Sequence, residues 1–344
     1  MSEPDPQERF QILALSGGGY RGLFTARVLA DMEQSIGAPI ATRFDLLAGT
    51  SIGGILALAL ALEITADRMV RLFETKGEQI FQRRRSLGGL WRAPYAQSSL
   101  YQLLCGPELF GENTVGACRH PVLVPAINYT TGRPVVFKTP HHPNFVTDHK
   151  HRMADVALAT SAAPGFFPRH VFNNCQYIDG GLFANAPGLL GVHEARHFMK
   201  QQRGDIHVVA IGTMSAKYTV DPRRNREGGT RDWGGWWPPN TAKRLFGVAI
   251  SAQESLVDNL LRHQLPAGHY HHVDEDLTDE RARAVALDKT DAAAREVLLG
   301  SAAERSKICL GDAGVRAVLN HIAPTPTFYH GPYAVQGVSH AQVE

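Results

Sequence analysis

Residues 49–54 read Gly-Thr-Ser-Ile-Gly-Gly, placed between the apolar run FDLLA (44–48) and the apolar run ILALALALE (55–63). The first run is short and strand-like, and the second is made of strong helix formers. A serine set among small residues at that junction is the sequence form of a sharp strand-to-helix turn, in which close backbones leave no room for larger side chains. The same grammar occurs one unit earlier. FQILALS (10–16) meets SGGGYRG (16–22), and a helical pattern follows through Leu23, Ala26, Val28, Leu29 and Met32. Two successive strand–glycine turn–helix units predict parallel strands joined by helical crossovers. The fold class expected is therefore α/β, with a mostly parallel central sheet between helical layers.

Further along, a helix is expected over Thr65–Phe81 with Thr65 as its cap, and a loop over 83–99. VLVPAINYTT (122–131) and RPVVFKT (133–139) read as neighbouring strands joined by a turn at Thr131-Gly132. A helix ending before Pro164, a strand QYI running into Asp179-Gly180-Gly181, a helix over 187–201 and a buried strand DIHVVAIGT (205–213) complete this part. The composition then changes to DPRRNREGGTRDWGGWWPP (221–239), which holds three of the four tryptophans. Helical patterns return over 241–265 and 288–322. The expected organisation is an α/β domain over 10–215, a Gly/Arg/Trp-rich loop over 216–240, a helical extension packed on the domain over 241–322, and a tail over 323–344.

Composition excludes several classes. Thirty-five Lys and Arg against 33 Asp and Glu leave a net charge of +2, which gives no reason to expect DNA or RNA as a partner. The four cysteines, Cys105, Cys118, Cys175 and Cys309, lie far apart without a CxxC pair, so reduced thiols are expected rather than zinc or a disulfide scaffold. No metal site is expected. The apolar run Ile52–Leu62 is stopped by Glu63, short of the roughly 20 residues of a membrane-spanning helix. MSEPDPQERF lacks the basic start and apolar stretch of a secretory signal, so a cytoplasmic protein with at most peripheral membrane contact is expected.

A serine hydroxyl becomes a nucleophile when a base removes its proton and amide donors await the oxyanion formed on attack. Ser51 is the candidate nucleophile, with Gly49 and Gly53 as the small neighbours its turn needs. Consecutive amides at Gly17-Gly18-Gly19-Tyr20-Arg21-Gly22 can hold an anion at a helix start. Their spacing also fits a dinucleotide fingerprint, but that motif needs an acid at the end of the next strand, which here reads Ala48-Gly49-Thr50-Ser51. An oxyanion cradle beside Ser51 accounts for both turns. Asp179, flanked by Gly180 and Gly181 at a strand end, is the candidate general base.

GGGYRG, GTSIG and DGG in that order, with ATSAAPGFFP before the aspartate, resemble the patatin-like phospholipases through about the first 200 residues. The resemblance implies a patatin-like three-layer fold and a Ser51/Asp179 dyad without histidine, needing no metal or organic cofactor. It implies an oxyanion group of Gly17, Gly18, Gly19, Arg21, Gly22 and Ile52. Amides of Gly18, Gly19 and Ile52 would be the donors, with Arg21 in a supporting role. NYTTGRPVVFKTPHH (128–142), LFGVAISAQESLVDNLLRHQL (245–265) and LTDERARAVALDKTDAAAREVLLG (277–300) are similar to bacterial cyclic-dinucleotide-activated phospholipases of antiphage systems. That likeness implies a membrane phospholipid substrate, a cGAMP-like activator, and action at the inner membrane, with self-assembly as a further expectation. A constitutive lipid acyl hydrolase and a non-catalytic nucleotide sensor on the same scaffold are the alternatives.

Sixteen histidines invite a triad, yet none of His193, His197, His207 and His263 comes with a partner motif, and His141-His142 and His271-His272 lack further metal ligands. Trp233, Trp236 and Trp237 admit three readings: a packed plug, a lid or an interfacial anchor. Arg223, Arg224, Arg226 and Arg231 suit phosphates, so Arg224, Arg231 and Trp233 are the candidates for the regulatory ligand. Arg83-Arg84-Arg85 beside Trp91 could meet anionic lipids. A solvated face is the alternative for both basic clusters.

Overall fold

The computed structural model describes residues 9–84, 92–214, 238–275, 277 and 284–335. Strand β1 (Phe10–Leu15) is buried at every position, as a continuous apolar run in the middle of a parallel sheet must be. A short helical turn at Gly19–Arg21 leads into α1 (Gly22–Ile36), which ends at Gly37 in the left-handed conformation. β2 (Leu46–Gly49) then lies parallel to β1, with Leu13 opposite Leu47. α2 (Ile52–Ala61) follows directly, and α3 (Ala66–Ile80) is capped by the Thr65 hydroxyl, which accepts from Arg68 N at 3.4 Å. After α4 (Gln97–Leu104), β3 (Val122–Asn128) joins the other edge of β2, also parallel.

From β3 onward the direction reverses. β4 (Arg133–Lys138) returns antiparallel along β3 as the second arm of a hairpin. α5 (Met153–Thr160) crosses to β5 (His170–Phe172) and β6 (Cys175–Asp179), and β6 is antiparallel to β3 with Asp179 opposite Ala126. Because Ala126 also pairs with Val135 of β4, β6 occupies the opposite edge of β3, the edge that β2 borders at Val122 and Leu123. β2 and β6 therefore run toward each other in one row, and their C-terminal ends meet. This head-to-head meeting places the site.

A one-turn helix α6 (Gly181–Ala184), α7 (Gly188–His197) and β7 (Ile206–Ile211) follow, with β7 parallel to β1 on its free edge. The chain then supplies α8 (Pro238–Gln264), β8 (Tyr270–Val273), α9 (Ala292–Gly311) and α10 (Ala313–Asn320). The strand order is β5-β6-β3-β2-β1-β7-β8, with β4 beside β3. One face of the sheet is covered by a core that includes Phe24 and Leu29 of α1, Leu58 of α2, Val156 of α5 and Leu298 of α9. The other is covered by Val192 of α7 and Val257, Leu261 and Leu265 in and just after α8. The sheet thus lies between two helical layers, the three-layer α/β arrangement.

The C-terminal segment differs from a purely helical extension. β8 extends the central sheet in parallel register with β7, pairing Val208 with Tyr270. Its sequence, YHHV, is short and half polar, so it shows neither alternation nor an apolar run. The expected helix over 288–322 is two helices, divided at Asp312, whose carboxylate caps α10 by accepting from Val315 N at 2.9 Å. Among the described residues, no helix is long and apolar enough to cross a membrane.

Candidate active site

The turn after β2 is tighter than ordinary backbone allows. Ser51 sits at φ 54°, ψ −124°, a left-handed conformation that L residues rarely adopt and that tertiary contacts must hold. The packing leaves no space for side chains on either side. A Cβ on Gly53 would lie 2.2 Å from Leu15 O, and one on Gly49 would lie 2.1 Å from Gly53 O. Ser51 N is held by Thr160 Oγ1 at 2.9 Å, and that hydroxyl in turn donates to Pro125 O at 2.7 Å.

Where β6 ends against β2, Ser51 Oγ donates to Asp179 Oδ2 at 2.7 Å. The second carboxylate oxygen accepts from Gly181 N at 2.7 Å, so Gly181 orients the acid. Gly180 passes against the β3 backbone, where a Cβ would be 2.3 Å from Pro125 O. Asp179 is 1% exposed. Burial pushes its carboxyl up to about 7, against the opposing pull of the Gly181 and Ser51 hydrogen bonds. A carboxyl poised there exchanges a proton readily near neutrality.

The glycine loop lies alongside. Gly17 N donates to Asn185 O, Tyr20 N to Leu287 O, Arg21 N to Gly18 O, and Gly22 N to the carbonyls of Gly19 and Tyr20. Among the described residues, the amides of Gly18, Gly19 and Ile52 have no acceptor, and the Ile52 amide opens α2. Gly19 takes φ +58° to turn the chain. Of the six residues expected in the oxyanion group, Gly17, Arg21 and Gly22 thus spend their amides inside the fold. Arg21 braces the loop: its buried guanidinium donates to Gly18 O at 3.4 Å and Met214 O at 3.3 Å.

The patatin-like phospholipase family model matches residues 13–189, just over half of the chain and the part that holds Ser51, Asp179 and the glycine loop. The chain belongs to the patatin-like phospholipase family. It is 44% identical over 329 residues to a cGAMP-activated phospholipase of Pseudomonas aeruginosa (strain BWHPSA011 / Pa011), covering 94% of this chain and 96% of that protein. It is 34% identical over 304 residues to a cGAMP-activated phospholipase of Escherichia coli (strain TW11681), covering 81% and 84%. A cUMP-AMP-activated phospholipase of Escherichia coli is 30% identical over 217 residues, covering 59% and 64%. The protein is accordingly a hydrolase, a serine acyl hydrolase of the patatin-like phospholipase kind.

Around the serine of this phospholipase the cavity is apolar and small, about 70 Å³, with Ile52, Phe73, Phe81, Phe246, Ile250 and Leu287 among its walls. Phe246 and Ile250 come from α8, and the same helix is tied down beside the dyad. Gln253 Oε1 accepts from Ala186 N at 3.1 Å. Glu254 Oε1 accepts at 2.6 Å from Asn185 Nδ2, which also reaches Gly17 O at 3.2 Å. Thr160 lies within ATSAAPGFFP, and Phe246, Ile250, Gln253 and Glu254 lie within LFGVAISAQESLVDNLLRHQL, but neither stretch gives any of them a role by its spacing, and Asn185 falls in no motif. Thr160 and Asn185 are signalled only by being buried polar side chains in otherwise apolar stretches.

Arg224, Arg231 and Trp233, with Arg223, Arg226, Trp236 and Trp237, fall outside the described residues, as do Arg85 and Trp91. Arg83 is described: it lies 3.7 Å from Asp288 and donates to Tyr95 Oη at 3.3 Å. Among the described residues no histidine bonds to Ser51 or Asp179. His141 instead bonds Glu194 at 3.0 Å, His193 stacks on His197, and His207 stacks on His269 at 3.7 Å.

Proposed function

We propose that this chain cleaves acyl esters of membrane phospholipids with Ser51 as nucleophile and Asp179 as base, and that a cGAMP-like cyclic dinucleotide switches it on. Ser51 Oγ attacks the ester carbonyl while its proton passes to Asp179 Oδ2, and the free amides of Gly18, Gly19 and Ile52 meet the oxygen that becomes negative. Collapse of the tetrahedral intermediate breaks the ester C–O bond, and the departing lysophospholipid oxygen takes the proton from Asp179. A water then gives its proton to Asp179 and attacks the acyl-serine. The fatty acid leaves and Ser51 recovers its hydrogen. The 2.7 Å contact between Ser51 Oγ and Asp179 Oδ2 is the observation that carries this reading.

Control by a nucleotide is supported by the names of the relatives, two called cGAMP-activated and one cUMP-AMP-activated. It is supported physically by the narrowness of the cavity. About 70 Å³ is small beside the roughly 300–1,000 Å³ of ligand pockets, so the walls must move apart to seat an acyl chain. On this reading the enzyme rests closed in the cytoplasm and acts peripherally on the inner membrane once the messenger is made.

Fatty-acid release from phospholipid vesicles, with and without cGAMP, tests both halves. Ser51→Ala should lower release by about 10⁴-fold or more, the scale seen when a hydrolase loses its nucleophile. Undiminished release by Ser51→Ala would remove the dyad. Equal release with and without cGAMP would leave a constitutive lipid acyl hydrolase.

A further inference from the structure

Farther along α8 from the acyl pocket is a second cavity, about 610 Å³, in the size range of ligand sites. Its walls are α8, β8 and the residues just after it, the C-terminal ends of β1 and β7, the turn into α7, and Arg305 of α9. Ser251, Glu254, Ser255, Asp258 and Arg262 follow one another along α8 at steps of one, three and four residues, so a single polar face of that helix is turned into the cavity. Tyr270 supplies a ring over which the Arg262 guanidinium lies at 5.3 Å. Half-buried Arg305 projects from α9 and makes no ion pair among the described residues. Glu254, Asp258, Asp274 and Glu275 bring carboxylates; Asp258 is paired with Arg262 at 3.0 Å, and burial holds the Asp274 carboxyl above its ordinary range.

This mixture is selective. With several carboxylates on its walls, the cavity is a poor host for a polyphosphate. A ligand with few, singly charged phosphates and base edges rich in N–H fits better. Arg305 can take a phosphate, with Arg262 held beside it by Asp258 at 3.0 Å; Tyr270 can stack a base, and carboxylates can accept from amino and imino groups. We propose that the cavity between α8 and β8 binds a purine-bearing cyclic dinucleotide, and that this occupancy draws α8 away from the pocket of Ser51. The reading rests on nucleotide control as proposed above and adds its location and route. The route is physical: Glu254 lines the cavity and holds Asn185, while Ile250 and Phe246, one and two turns earlier on the same helix, line the acyl pocket. A ligand that prefers one position of α8 shifts the acyl pocket with it.

Calorimetric titration of the full chain with cGAMP, beside vesicle hydrolysis, tests the assignment. Ser51→Ala should bind cGAMP as the wild type does. Arg305→Ala should bind about tenfold or more weakly, as loss of a guanidinium–phosphate contact requires. Ser255→Trp, at an exposed position on the cavity wall, should block binding while circular dichroism stays unchanged. Phe246→Ala should raise nucleotide-free hydrolysis by about tenfold, because it favours the open state. If cGAMP binds and activates the wild type but Arg305→Ala and Ser255→Trp match it in affinity, the site lies elsewhere and this inference falls while nucleotide control stands. Unchanged or lower nucleotide-free hydrolysis in Phe246→Ala would overturn the coupling through α8. A wild type that hydrolyses vesicles without binding or responding to cGAMP would overturn nucleotide control and this site together.

Discussion

α8 borders two cavities of opposite character. Toward Ser51 the space is apolar and nearly filled; toward β8 it is polar and roomy. The dyad beside the first is built deep in the sheet, from a buried acid, a strained serine turn and backbone contacts that leave no slack. The cover over it is packed through Phe246, Ile250, Val257 and Leu261 of α8 and tied to the site by the hydrogen bonds of Gln253 and Glu254 and of the Leu287 carbonyl with Tyr20 N. Under the proposed function the reacting groups stay preorganised and only access has to change, through movement of α8.

The sharpest way to test the rigid half is Asp179→Asn. Hydrolysis should fall by about 10³-fold or more, as when a catalytic base is lost. In the wild type, activity should rise with pH through about 7, where the buried carboxyl ionises. Stability runs the other way. The carboxyl is raised from 3.8 to about 7, so folding favours its protonated form, and the cost of burying the anion grows as pH rises between those values. Thermal melts of Asp179→Asn relative to wild type should therefore compare better at pH 8 than at pH 5. A pH-independent difference would mean that the acid is not strained by burial.

A smaller effect is expected at Thr160. Thr160→Val keeps the shape but leaves Ser51 N and Pro125 O without their partner, which should cost about 1–3 kcal/mol in chemical denaturation. Turnover should drop by roughly tenfold, because the serine loses its anchor. Full turnover would show that the turn is held by its glycine contacts alone.

The smallest effect belongs to the cover. Arg83 is largely exposed and reaches Asp288 at 3.7 Å, so Arg83→Ala should change the melting free energy by less than about 1 kcal/mol. A larger loss would mean that the segment around Leu287 is bound as firmly as the dyad, and the contrast between the two regions would weaken.

What could be read without coordinates was local. Gly49 to Gly54 announces its turn because strand, bend and helix follow within a dozen residues, and Gly17 to Gly22 does so for the same reason. The hairpin of β3 and β4 was legible from two apolar runs and a Thr-Gly break. β8 was not, since four residues with two histidines carry no period; it is a strand because β7 offers a free parallel edge. Thr160, Asn185 and Glu254 were equally silent, because a buried polar side chain is recognised by its partners, and those lie far away in the chain.

The amino-acid order by itself determined the α/β class and made Ser51, Asp179 and the glycine turn the candidates, each of which depends on steric and hydrogen-bonding rules acting over a few residues. Only the tertiary structure decided that β2 and β6 run head to head, bringing residues 128 positions apart to 2.7 Å. It alone decided that α8 closes one cavity while lining another. Strand pairing and helix docking are set by long-range burial, and many distant partners satisfy the same local pattern.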